Sequence, residues 1–172
     1  MVEPNDDAAA SRRAVPDRTD DGVIRAGMND FTWSLSLDRD RLQLDRVYEW
    51  LRDSYWSPNV RRDVLERAFA NSVVIGAYDD AGNQVGVARA VTDFASFGWL
   101  CDVFVDEAWR GRGIGKAMVS ALVDDERLQT LRRWMLGTQD AHTVYETVGF
   151  EDVEAGRFMK LVRDPSTWQR SG

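Results

Sequence analysis

The sequence predicts a mixed α/β domain of the α+β kind, with one central, mostly antiparallel sheet flanked by helices. Three observations carry that expectation. Two apolar runs flank DDAGN in SVVIGAYDDAGNQVGVARAVTD, a turn rich in residues that tolerate positive φ, which reads as a β-hairpin. GWLCDVFV is apolar nearly throughout, as a strand buried on both faces is. It leads directly into RGRGIGKAM, a glycine-rich stretch that opens an amphipathic helix from about Gly113 to Asp125.

The remaining elements follow in order. FTWSLSL, from Phe31, alternates apolar and polar side chains like a half-buried strand. Leu44, Val47, Tyr48 and Leu51 then recur at helical spacing, with Asp38 or Asp40 as the cap. SPNVRRDVLERAFANS predicts a second helix, capped by Ser57 with Pro58 in its first turn. After the glycines come a short strand RRWMLGT, a short helix AHTVYETVGF and a last strand RFMKLV. Met1 to about Asp30 is polar and acidic without hydrophobic period, and is expected to be a mobile tail. The domain is expected over residues 31–163, with 164–172 as a C-terminal tail.

At 172 residues the chain suits one domain with a real core, and its 44% apolar content and seven tryptophans fit a packed globule. A net charge of −7 argues against a nucleic-acid partner, which needs a basic face, but permits an anionic ligand held by a local positive patch. The single cysteine, Cys101, excludes an intramolecular disulfide and fits a reducing compartment. MVEPNDDAAASRR lacks the apolar core of a signal peptide, and no apolar run approaches the roughly 20 residues of a membrane span. A cytoplasmic protein with no membrane partner is expected.

Glycines at 111, 113 and 115, among basic residues, suggest a phosphate close to the backbone. A Walker loop needs four residues between its first glycine and Gly-Lys, then Ser or Thr; here three intervene and Ala117 follows Lys116. A dinucleotide GxGxxG would need glycine where Lys116 stands. What remains is Arg110-x-x-Gly113-x-Gly115 between a strand and a helix. Bare amides at a helix N-terminus form an anion-binding array, and Arg110, Arg112 and Lys116 add charge. Alone, such a turn is equally a tight strand-to-helix connection.

DVFVDEAWRGRGIGKAM and, about thirty residues on, DAHTVYETVGF together resemble the paired motifs of the GNAT superfamily, the acyl-CoA-dependent N-acetyltransferases. The likeness covers roughly Phe31 to Val162 through Val105, Arg110, Gly113, Gly115, Ala141, Tyr145, Gly149 and Phe150. Thr138 stands where the family often has Asn, and Asp106-Glu107-Ala108 lacks a frequent proline. The resemblance implies the GNAT fold with a splayed strand pair. It also implies acetyl transfer from acetyl-CoA to a primary amine by direct attack in a ternary complex. The backbone of Val103, Phe104 and Val105 would hold the pantetheine arm, and the amides of Gly111, Arg112, Gly113, Ile114, Gly115 and Lys116, with Arg110, the pyrophosphate. Tyr145 matches the family's general acid, against the alternative of a tyrosine buried for packing. The other role open to such a fold is a non-catalytic acyl-CoA-binding or regulatory module.

Asp102, a carboxylate among apolar neighbours, is a candidate base, or else an acceptor of backbone or arginine hydrogen bonds. Simple alternation puts residues 100, 102 and 104 on one face of the strand and 99, 101, 103 and 105 on the other. That separates Cys101, a buried thiol, from Asp102. Tyr48, Trp50, Tyr55 and Trp56 could wall an acceptor pocket for a flat or aliphatic amine. Tyr55, Trp56 and Asp93 are the substrate-binding candidates, though Asp93 equally suits a turn. His142 fits a surface or supporting role, and no ligand cluster suggests a metal. A small-molecule or peptide amine is the expected partner, with a homodimer possible.

Overall fold

The structure is a computed structural model that describes residues 17–18, 24–27 and 32–170. Among the described residues, seven strands form one sheet in chain order: β1 (Asp17–Arg18), β2 (Ile24–Gly27), β3 (Thr32–Ser36), β4 (Val73–Asp79), β5 (Gln84–Thr92), β6 (Phe97–Val105) and β7 (Arg133–Met135). All neighbours are antiparallel except β6 and β7, which run parallel. The predicted mostly antiparallel mixed sheet is therefore present. Its one parallel pair flanks α3 (Ile114–Val123), the crossover that parallel strands require.

Helices bury their apolar stripes on both faces. α1 (Leu44–Arg52) and α2 (Arg62–Ala70) place Val47, Leu51, Leu65 and Phe69 against Val74 and Val87 of the sheet. On the other face, Ile114, Met118 and Leu122 of α3 meet Leu35, Ile75, Ala88 and Leu100. Each fully buried Leu, Ile or Phe contributes about 1.5–3 kcal/mol. α4 (His142–Glu146) adds Tyr145 to the α3 side.

Four expectations are corrected. The stretch expected to be a tail contributes β1 and β2, with β2 pairing along β3 from Ile24↔Leu35 to Gly27↔Thr32. Backbone pairing to an existing edge needs no hydrophobic period, so the pattern gave no signal. α2 begins at Arg62, with Arg61 at the N-cap position, and not at Ser57-Pro58. Asn59 has φ 55°, a left-handed conformation that a helix cannot include. RFMKLV forms no strand: residues 151–164 are irregular and exposed, with Met159 and Leu161 at 100% and 78%. The turn closed by Arg157 N–H to Glu154 C=O, with Gly156 at φ 80°, redirects the chain. Residues 164–170 are no loose tail either, because Trp168 C=O accepts from Arg61 N–H and Arg170 N–H donates to Asn59 C=O. Trp168 packs on the α1–α2 cluster, so the segment after α4 is strapped across to the α1–α2 connection.

Candidate active site

β6 organises the site because it is neither straight nor fully paired. It pairs with β7 only from Phe97↔Arg133 to Trp99↔Met135, after which the two strands part. The stretch Leu100–Val105 has β5 on one side and no strand on the other among the described residues. Its register against β5 slips between Val87 and Arg89, where Asp102 adopts φ 51°. This is a β-bulge, one added residue that reverses the facing of everything beyond it.

The bulge overturns the simple alternation. Leu100 and Val103 both pack on the α3 side, with two residues between them. Cys101 is opposite Arg89, whose guanidinium stacks on Phe69 of α2, so Cys101 faces the α1–α2 side. Asp102 faces the same side, accepting from Trp56 Nε1 at 3.0 Å and pairing with Arg89 Nε. Cys101 and Asp102 therefore share a face. Burial pushes the Cys101 thiol up to about 12, with Arg89 opposing and Asp102 reinforcing, so it stays protonated and weakly nucleophilic near neutrality.

Asp102 is the most firmly bonded of the candidates. Its side chain is 8% exposed, and Arg89, itself 15% exposed, also donates to Ser72 Oγ at 3.0 Å. Both carboxylate oxygens are engaged by side-chain donors, the acceptor role that the sequence left open beside that of a base. Sequence reasoning passed over Arg89. The signal was there in VARAV, where one charge interrupts an otherwise apolar strand and needs a buried partner.

Beyond Val105 the chain makes a 3₁₀ turn at Glu107–Trp109, capped by Asp106, and enters the glycine loop. Gly111 and Gly113 both have φ 76°, and Gly113 is the N-cap of α3. A Cβ at either would meet nothing within 4 Å, so backbone conformation rather than crowding demands glycine, and the space outside is open. A Cβ on Gly115 would make ordinary contact with Val105 at 3.7 Å. The first turn of α3 points amides without intrahelical partners toward this opening. Arg110 Nε donates to Val105 C=O at 3.1 Å, tying the loop to the end of β6, and its guanidinium stands 5.7 Å from the Phe104 ring. Arg112 lies over Trp109 at 4.9 Å, while Ile114 is buried in the core and Lys116 half-buried. Val103 and Val105 pack toward α3, and Phe104 stacks on Trp50 of α1 at 5.2 Å.

Tyr145 is half-buried against Phe150, their rings 6.1 Å apart, and lines a cleft with Trp134, Leu136, Gly137, Thr138 and His142. Burial raises its pKa, and Tyr55 and Asp140 add to the shift. The phenol is thus protonated at neutral pH and lies within electrostatic reach of a candidate substrate residue. Tyr55 accepts from Gln139 N–H at 3.3 Å and meets Trp56 edge-on at 4.8 Å. Thr138 uses its hydroxyl locally, accepting from Ala141 N–H.

Three other candidates leave the cleft. Tyr48 is buried at 6% exposure, and Trp50 is occupied by Phe104. Asp93 accepts from the amides of Ala95, Ser96 and Phe97 and from Ser96 Oγ. Those bonds hold its carboxyl well below the usual range and make it the clasp of the β5–β6 turn. Trp99, 39% exposed and with its ring beside Gly137, is the aromatic the sequence did not single out.

A bulged strand parting from a parallel neighbour, with a glycine loop opening the helix that joins them, defines an acetyltransferase architecture, and comparison with known proteins agrees. Residues 70–152 match the family model of the acetyltransferase (GNAT) domain. A Gibberella zeae protein provisionally named acetyltransferase FG08082 is 30% identical over 151 residues, 74% of this chain and 84% of that one. A GNAT-family protein from Xanthomonas campestris pv. campestris, also provisionally named, is 34% identical. Its crystal structure superposes with a TM-score of 0.72 over 77% of this chain and 94% of its own. A predicted acetyltransferase of Clostridium acetobutylicum, solved with acetyl-CoA, shares the fold at 18% identity, TM-score 0.59, over 77% and 96% of the two chains. The chain belongs to the GNAT acetyltransferase family. No helix among the described residues is long and apolar enough to cross a membrane.

Proposed function

We propose that the protein transfers an acetyl group from acetyl-CoA to a primary amine by direct attack in a ternary complex. The observation that carries this is the open edge of β6 beyond Trp99, continuous with the positive-φ glycines at the N-terminus of α3. That continuity gives an extended acyl carrier a strand-like groove ending in a phosphate-sized cradle. The fit is favourable, since both loop glycines leave space where a side chain would stand. Val103, Phe104 and Val105 would hold the arm through their backbones, with the amides of 111–116 and the Arg110, Arg112 and Lys116 cations toward the diphosphate. Acetyl-CoA supplies an activated thioester whose carbonyl a backbone N–H of β6 can polarise. Tyr145 holds a proton ready for the departing sulfur. Cys101 takes no part, because its thiol is held neutral.

Calorimetric titration with CoA, together with thiol release from acetyl-CoA over an amine panel, tests the proposal. CoA binding with thiol release on at least one amine is expected. Binding without release on any amine would favour a non-catalytic acyl-CoA-binding module of the same fold. Absence of CoA binding would remove both.

A further inference from the structure

Resting on the acetyl-transfer reading, we infer that the acceptor amine is carried on a flat, apolar body gripped by Trp56, Tyr55 and Trp99. These three side chains converge on the place where β6 and β7 separate. Trp56 reaches Asp102 on the bulge, Tyr55 reaches Gln139 beyond β7, and the Trp99 ring lies beside Gly137. They remain 38%, 49% and 39% exposed, and Val91, the cross-strand partner of Trp99, extends the apolar surface at 43%. Exposed aromatic side chains gathered beside a reactive groove mark a ligand site.

The surface is built rigidly. The Trp56 indole donates to a carboxylate that Arg89 already anchors, and Arg89 is tied in turn to Ser72 and stacked on Phe69. A ring fixed at its N–H edge and part-exposed, with Tyr55 set at right angles to it, is preorganised for stacking. The charges beside the rings are engaged: Asp102 pairs with Arg89, and Asp93 turns its oxygens into its own loop. Glu146, Glu151 and Asp152 instead line the Tyr145 cleft, where they can receive the ammonium of an acceptor whose flat body lies on the rings.

The test is calorimetric titration of the full chain, with CoA present, using 2-phenylethylamine, spermidine and an aminoglycoside as probes. Phenylethylamine should bind most tightly. Trp56→Ala should weaken it about tenfold, the upper end for one aromatic contact, and Trp56→Phe should recover part of that loss. CoA affinity should be the same in all three proteins. Tighter binding of spermidine or the aminoglycoside would overturn the inference, as would no binding of phenylethylamine or indifference to Trp56→Ala. A protein that binds no CoA would instead remove the acetyl-transfer reading, and with it the acceptor site.

Discussion

At the scale of single residues, Asp102 shows how one inserted backbone position decides chemistry. Counted by simple alternation it faces away from Cys101; on the bulge it faces Trp56 and locks to Arg89. Breaking a largely buried pair by removing one charge strands the other, so Asp102→Asn should lower stability by about 3 kcal/mol in urea unfolding. The acidic limb of its kcat profile should stay in place, because both carboxylate oxygens already accept from Trp56 and Arg89. Loss of that limb would restore Asp102 as a base. Tyr145 makes the opposite prediction. Burial, then Tyr55 and Asp140, raise its pKa, so the phenol is the populated form up to and beyond the ordinary tyrosine value. Tyr145→Phe should reduce kcat by about 100-fold or more, leave CoA affinity unchanged and abolish the alkaline limb. Unchanged turnover would show that the sulfur takes its proton elsewhere.

At the scale of elements, the sheet depends on two glycines that aromatic rings lie across. A Cβ on Gly98 would stand 2.8 Å from the Trp134 ring, and one on Gly76 would collide with the Tyr78 hydroxyl. Gly98→Ala should therefore push Trp134 away from β6 and loosen the three-residue pairing with β7, lowering stability by about 1–3 kcal/mol as overpacking does. Hydrogen exchange should show the loss concentrated at 133–135. Tyr78 carries a pH signature. Burial raises its pKa to about 12, partly opposed by Arg41, whose guanidinium sits 4.3 Å from the ring, and reinforced by Asp38. A group whose folded pKa exceeds its unfolded value contributes stability that is complete below the unfolded value of 10.0 and is lost as pH rises through about 12. Urea midpoints should fall across that window, and Tyr78→Phe should flatten the decline. The elements with strong period were legible in the sequence: β3 to β6, α1 and α3 stand where side-chain spacing put them. β1 and β2, held by backbone pairing, left no such trace. RFMKLV had a strand's composition, but the described sheet provides it no neighbour.

At the scale of the whole molecule, what the sequence conveyed best was the order in which the chain visits the site. A strand ending at Val105, the glycines and α3 follow one another without insertion, so the spacing of the motif is the spacing of the groove. Arg89 and Trp99 were harder to find because their roles depend on contacts across strands: Arg89 becomes a clamp only through Asp102, and Trp99 borders a cleft only because β7 ends at Met135. The glycine loop touches both that groove and the helix that seals one face of the core, so ligand binding there should register as stability of the entire domain. At a CoA concentration of 100 Kd the gain is about 2.7 kcal/mol. For a chain of this size that raises the Tm by about 5–10 °C. Gly113→Asp places a Cβ where φ is 76° and a negative charge at the N-terminus of α3. Strain at that position is about 1–2 kcal/mol, so the ligand-free protein should melt only a few degrees lower. The CoA-induced shift, by contrast, should disappear at the same CoA concentration. A variant that keeps the full shift would mean the diphosphate is held away from these amides, and that the open loop serves only to turn the chain into α3.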